Sequence, residues 1–188
     1  MFLPLRKARN TMAIYKTYFQ QLSFDGLEYS KGVVVDLLAT YKIICQEFPF
    51  IKNPKPKDLP TRDWAGDDGL DVYVPQSLPV KHYDIEVTFL YVGNENTIRA
   101  DLTNFINYLY GRNSGAVGSR LAIYNEHTGI GRKDVVVSEI NNELFYLTDS
   151  DPDAVAKFKV KFTVYDPTTI VLPSYNQQTG VVTDLSFE

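Results

Sequence analysis

Residues 83–91 read Tyr-Asp-Ile-Glu-Val-Thr-Phe-Leu-Tyr, and this alternation constrains the fold more than any other feature of the chain. Tyr83, Ile85, Val87, Phe89 and Tyr91 fall on one side of an extended backbone; Asp84, Glu86, Thr88 and Leu90 fall on the other. Successive side chains of a strand point to opposite faces, so the segment predicts a strand with one buried face. Residues 157–165 repeat the pattern, with Phe158, Val160, Phe162 and Val164 against Lys157, Lys159, Lys161 and Thr163. Strands of this kind need a sheet whose apolar face is covered by another layer.

The remaining segments supply partners for that sheet. Residues 13–24 are rich in β-formers and stop at Asp25-Gly26, a turn pair. Residues 33–48 predict one or two strands, with a short helix around 36–46 as the alternative, because a continuous apolar run carries no period. Residues 70–74, 121–124 and 134–140 predict further short strands. Residues 125–132 predict a turn, Asn141-Asn142 a second, residues 143–148 a hairpin partner, and residues 149–153 a third turn. Residues 168–172 and 181–187 predict a last strand pair. One helix stands out: Asn96 or Thr97 can cap it, Gly111 can end it, and Ile98, Leu102, Phe105 and Leu109 form one stripe. Asp101 sits in its early turns, where the helix dipole favours a negative charge. The pattern predicts a mainly β fold, a β-sandwich or open barrel with one flanking α-helix.

Three parts follow along the chain: a basic N-terminal arm over 1–12, a β domain over 13–167, and a C-terminal extension over 168–188. Within the domain, residues 49–69 predict a long loop, because Pro49, Pro54, Pro56 and Pro60 remove backbone donors. That loop holds Trp64, the sole tryptophan, which we expect to anchor it to the core. Residues 111–119 predict a flexible connection.

Chemistry-bearing sets are sparse. Lys and Arg total 19 against 23 Asp and Glu, a formal charge of −4, which argues against a general nucleic-acid binder. One cysteine, Cys45, and two histidines, His82 and His127, cannot build a disulfide framework or a cysteine zinc site. The start of the chain does not have the layout of a secretory leader, and no apolar run has the length of a membrane helix. Gly111-Arg112-Asn113-Ser114-Gly115 follows a helix instead of preceding one, so it does not read as a phosphate loop. Asp63, Asp67, Asp68 and Asp71 form a dense carboxylate group, but their spacing does not match a calcium loop and reads as turn chemistry. No catalytic, cofactor or metal site is therefore expected. Lys157, Lys159 and Lys161 share one strand face, either a solvated face or a contact with an acidic neighbour such as Glu86 and Asp84 of another copy.

The order of elements resembles a known family. Ser23-Phe24-Asp25-Gly26 precedes Val33-Val34-Val35, and a proline-bearing loop leads to Arg62-Asp63-Trp64-Ala65-Gly66-Asp67-Asp68-Gly69. An alternating strand, a helix ending in Leu109-Tyr110-Gly111, several hairpins, and a strand closing in Val164-Tyr165-Asp166-Pro167 complete it. Over residues 20–170 this order resembles the tube-forming domain of tailed-phage tail proteins, most closely the distal tail (Dit-like) protein, within a group that includes tail tube proteins. The resemblance implies a virion structural protein that is not an enzyme. It implies a homo-oligomeric ring, usually a hexamer, around the DNA channel, with other tail proteins as partners and no sequence-specific DNA binding. Trp64, Asp67, Asp68, Arg112, Lys157, Lys159 and Lys161 are then candidate oligomer or stacking contacts. Distal tail proteins often carry a second, galectin-like domain, and the short stretch after Pro167 departs from that pattern. Two other readings remain: a carbohydrate- or receptor-binding β-sandwich whose Trp64 stacks on sugar, and a small hydrolase using Asp63, Asp67 or Asp68.

Overall fold

The two alternating segments become neighbours. In the computed structural model, which describes residues 15–66, 68–145 and 156–188, β6 (Tyr83–Tyr91) pairs antiparallel with β9 (Ala156–Val164) from Tyr83 opposite Val164 to Tyr91 opposite Ala156. The other strands of this sheet are β1 (Thr17–Phe24), β2 (Tyr29–Asp36), β3 (Ile43–Glu47), β7 (Arg120–Asn125) and β8 (Ile130–Phe145). Its order is β2-β1-β7-β8-β9-β6-β3, so β2 and β3 are its two edges. A five-residue helix, α1 (Leu37–Tyr41), joins these edges directly. Across a flat seven-stranded sheet the edges would lie about 29 Å apart, at about 4.8 Å per strand step. One helical turn and three extended residue steps reach under about 20 Å. The sheet must therefore curl into an open barrel, which decides between the two architectures expected from sequence.

The barrel interior is aromatic. Phe19 of β1 meets Phe162 of β9 across the interior with ring centroids 6.2 Å apart, although β7 and β8 separate their strands in the sheet. The flanking helix α2 (Ile98–Leu109) turns Ile98, Leu102, Phe105, Tyr108 and Leu109 inward, and Phe105 packs on Phe19, Phe89 and Phe158. The stripe read from sequence is thus the buried face. Asn94 prepares the N-terminus, its side chain accepting from Asn96 N at 2.8 Å, while Thr97 makes no side-chain cap bond. Gly111 closes the C-terminus at φ 65°, and a Cβ there would meet the Gly118 carbonyl at 2.9 Å. Only glycine satisfies both demands.

A second cluster lies on the opposite face of the sheet. The β10 (Val171–Tyr175) and β11 (Val182–Phe187) ribbon lays Val171, Val182 and Leu185 over Tyr18, Leu22 and Ala122. Adjacent residues of β1 stitch both sides, because neighbours on a strand face opposite ways. Gln20 Nε2 donates to Gly32 O and Asp184 Oδ1, and its Oε1 accepts from Leu185 N. Gln21 Nε2 donates to Tyr108 O and Asn113 Oδ1, and its Oε1 accepts from Val117 N. The 111–119 connection, expected to be flexible, is thereby tied to β1.

Several local expectations are corrected. Asn141-Asn142 forms no turn: β8 runs through it, with Asn141 opposite Lys159 and Phe145 opposite Lys157. The long edge offered by β9 overrides the local turn preference of the asparagine pair. Residues 143–145 of the expected hairpin partner belong to β8; residues 146–148, the turn at 149–153 and the arm at 1–12 lie outside the described residues. The turn expected over 125–132 shrinks to 126–129, since β8 starts at Ile130. Residues 33–48 hold both alternatives at once, the end of β2, then α1, then β3.

Beside the β7–β8 irregularity, Asp134 adopts φ 52° and accepts hydrogen bonds from the Tyr29 hydroxyl and from Arg120 Nη1. Burial first, and then the bond to Asp134, push the Tyr29 phenol up to about 12. The folded state therefore holds its proton above pH 10, where the unfolded chain releases it, so this contribution is complete below pH 10 and lost as pH rises towards 12. Denaturant midpoints measured from pH 9 to 12 should fall, and Tyr29→Phe should make the fall shallower; parallel curves for the two proteins would contradict this assignment.

Candidate functional site

The stretch expected to be a loop is an extended arm. Its two limbs run antiparallel: Lys81 N donates to Lys55 O, Lys57 N to Pro79 O, and Tyr73 N to Pro60 O. Farther out, β4 (Thr61–Arg62) pairs with β5 (Asp71–Val72), with Thr61 opposite Val72 and Arg62 opposite Asp71. From residue 55 to 62 the limb extends about 23 Å at about 3.3 Å per residue. Prolines at 54, 56, 60, 75 and 79 keep this ladder discontinuous, because each lacks a donor. The base is fixed to the barrel by Phe48 and Phe50, both buried, and by the Ile51 carbonyl, which accepts from Arg132 Nη2 at 3.3 Å and the Tyr83 hydroxyl at 3.4 Å.

Trp64 lies on this arm and not in the core, contrary to expectation. It is 44% exposed and belongs to neither core cluster. Arg62 places its guanidinium 3.5 Å from the ring centroid, and the indole N–H donates to Asp71 Oδ2 at 3.0 Å. The ring face and the N–H are satisfied locally, so burial is not needed to satisfy them. An open groove of about 550 Å³ runs here, lined by Pro60, Thr61, Arg62, Trp64, Asp71, Val72 and Tyr73. Leu70, Val72, Tyr73, Val74 and Leu78 are also exposed, and Tyr73 reaches 69%. Large apolar side chains exposed together on one element mark a contact surface more often than a solvated one.

Charge is sorted along the arm. Lys52, Lys55 and Lys57 are exposed near the base, and Asp63 and Asp68 are exposed at the tip. Among the described residues none of these five has an ion-pair partner, whereas Lys81 pairs with Asp58 at 2.7 Å. Asp67 lies outside the described residues.

The other candidate contacts sit elsewhere. Arg112 follows α2 with its guanidinium 5.1 Å from the Tyr110 ring. Lys157, Lys159 and Lys161 lie on the polar face of β9. Lys159 pairs with Glu86 and Lys161 with Glu139 of the same chain, so the acidic neighbours of these two are cross-strand residues. The hydrogen bond from Lys159 holds Glu86 below its ordinary value, and the bond to Glu139 raises Lys161. Exposed pairs of this kind contribute little, since water and salt screen them. Lys159→Ala should leave the thermal midpoint unchanged within error; a clear drop would show that the cross-strand pair matters to the fold. The structure thus places the candidate contacts on separate elements and does not gather them into one site. Sequence reading missed Tyr73, Val74 and the Lys52, Lys55 and Lys57 series, for which the Pro54-Lys55-Pro56-Lys57 alternation was the available signal.

Among the described residues, no group of three or more His, Cys, Asp or Glu side chains is placed to hold a metal ion, and no helix is long and apolar enough to cross a membrane. The sequence matches no protein-family model and no curated protein. Among solved structures it is similar to the Dit protein of phage SPP1, described as a paradigm of the hub adsorption apparatus in phages infecting Gram-positive bacteria. The identity is 17% and the TM-score 0.45, covering 83% of this chain and 52% of that one, so the chain spans about half the length of that protein. A likeness this remote establishes neither family nor function.

Proposed function

We propose that the chain is a structural subunit of a bacteriophage tail, a distal tail or tail tube component that self-associates into a ring around the DNA channel. The observation that carries this reading is the arm, an extended element with exposed Trp64, Val72, Tyr73 and Val74 and no core of its own. Ordered apolar surface of this kind has a physical use when another surface covers it. The two sheet edges, β2 and β3, which have no outer partner strand among the described residues, offer a second means of association by strand addition. The order of sequence elements that resembles tail proteins supplies the context, and the acidic net charge of −4 suits a channel through which DNA slides without adhering. A sugar-binding role for Trp64 is less well supported, since Arg62 already covers one face of its ring.

Light scattering on the purified chain tests this reading. The expected result is a mass of several subunits, about six for the usual ring. A particle of 21.4 kDa that persists at millimolar concentration would contradict it.

A further inference from the structure

We infer that copies of this chain join through their arms, the acidic tip of one arm seating on the basic base of another. The inference rests on the self-associating reading above and names the surface that performs it. Three observations on one element carry it. The arm is polarised, with exposed Lys52, Lys55 and Lys57 at its base and exposed Asp63 and Asp68 at its tip. None of these five charges is neutralised by an ion pair among the described residues, so each is available to meet an opposite charge on another surface. Between the two charged ends lies the exposed apolar stretch around Val72, Tyr73 and Val74.

A second copy is the occupant that these features fit. A surface bearing both signs at its two ends is complementary to itself when shifted or reversed by the arm's length. Steering by opposite charges brings tip to base, and apolar contact between them then excludes water. The limbs are hydrogen bonded to each other across residues 55–62 and 71–81, so Lys55 and Lys57 are held away from the tip that carries Asp63 and Asp68 before any contact forms. Preorganisation of that kind lowers the ordering cost of association.

Charge reversal tests the contact. One variant carries Asp63→Lys and Asp68→Lys, and a second carries Lys52→Glu, Lys55→Glu and Lys57→Glu. All five positions are exposed, so circular dichroism and the thermal midpoint should match the parent protein. Each variant alone then faces like charge at every tip-to-base contact, and association should weaken about a hundredfold or more. An equimolar mixture restores opposite charges at each contact and should recover the parent mass by light scattering. Variants that assemble as well as the parent, or a mixture that stays monomeric, would overturn the inference. If the variants keep the ring, the self-associating reading survives without this contact. If the mixture recovers a particle that stops at a dimer, the contact stands and the ring reading fails. A parent protein that never associates overturns both.

Discussion

Phe162→Ala is expected to cost the fold about 3–5 kcal/mol, the range for removing a large aromatic side chain from a packed interior. Phe162 is fully buried on β9 and meets Phe19, Phe48 and Phe89 at ring-centroid distances of 6.2, 6.2 and 6.5 Å. Those rings come from β1, from the segment after β3, and from β6. Truncation therefore empties the point where the two ends of the curled sheet approach each other. The backbone there is held by ladders on both sides of β9, which limits how far the walls can collapse into the void. Since domains of this size are commonly stable by about 5–15 kcal/mol, the variant should lose a large share of its stability. Urea unfolding followed by circular dichroism measures it. A loss under about 1 kcal/mol would mean that the rings do not meet across a closed interior, and would argue for a flatter sheet.

Gln20→Ala is expected to cost about 2–3 kcal/mol, the scale of leaving buried polar groups without partners. Gln20 is only 2% exposed, and its amide serves β2 through Gly32 O and the ribbon through Asp184 Oδ1 and Leu185 N. Alanine would strand the Leu185 N–H and the Gly32 carbonyl partly in the second cluster, which is too small to offset that loss. Hydrogen exchange should show the defect locally, with faster exchange across β10 and β11 than across β6 and β9. Uniform loss of protection would indicate that the ribbon is not a separate layer.

How much of this was legible in the sequence depends on the scale of the signal. β9 was readable residue by residue and β6 nearly so, because the period-two pattern records one buried face; the exception is Leu90, which falls on the opposite side of β6 and is buried as well. The helix was equally plain: Ile98, Leu102, Phe105 and Leu109 mark a face that must be covered. The curl of the sheet was not readable, because it follows from α1 joining two edges that are far apart in the strand order. Asn141-Asn142 misled because turn preference is local, whereas β9, which keeps β8 paired on both sides of a register shift between Asn141 and Phe145, is distant in sequence. The arm escaped for the opposite reason. Its paired strands are two residues each, too short for any period, and its prolines are a loop signal. Trp64 was placed wrongly by composition alone, since Arg62 and Asp71 satisfy it without a core. Gln20 and Gln21 carry no sequence signature at all; their importance comes from the two layers that meet on β1.

Images of negatively stained particles test most directly whether this barrel with its arm is the ring subunit proposed above. A ring subunit should give end-on views with rotational symmetry and a central opening wide enough to pass duplex DNA. Particles without a central opening, or a field of monomers from a sample concentrated well beyond the usual range, would contradict it.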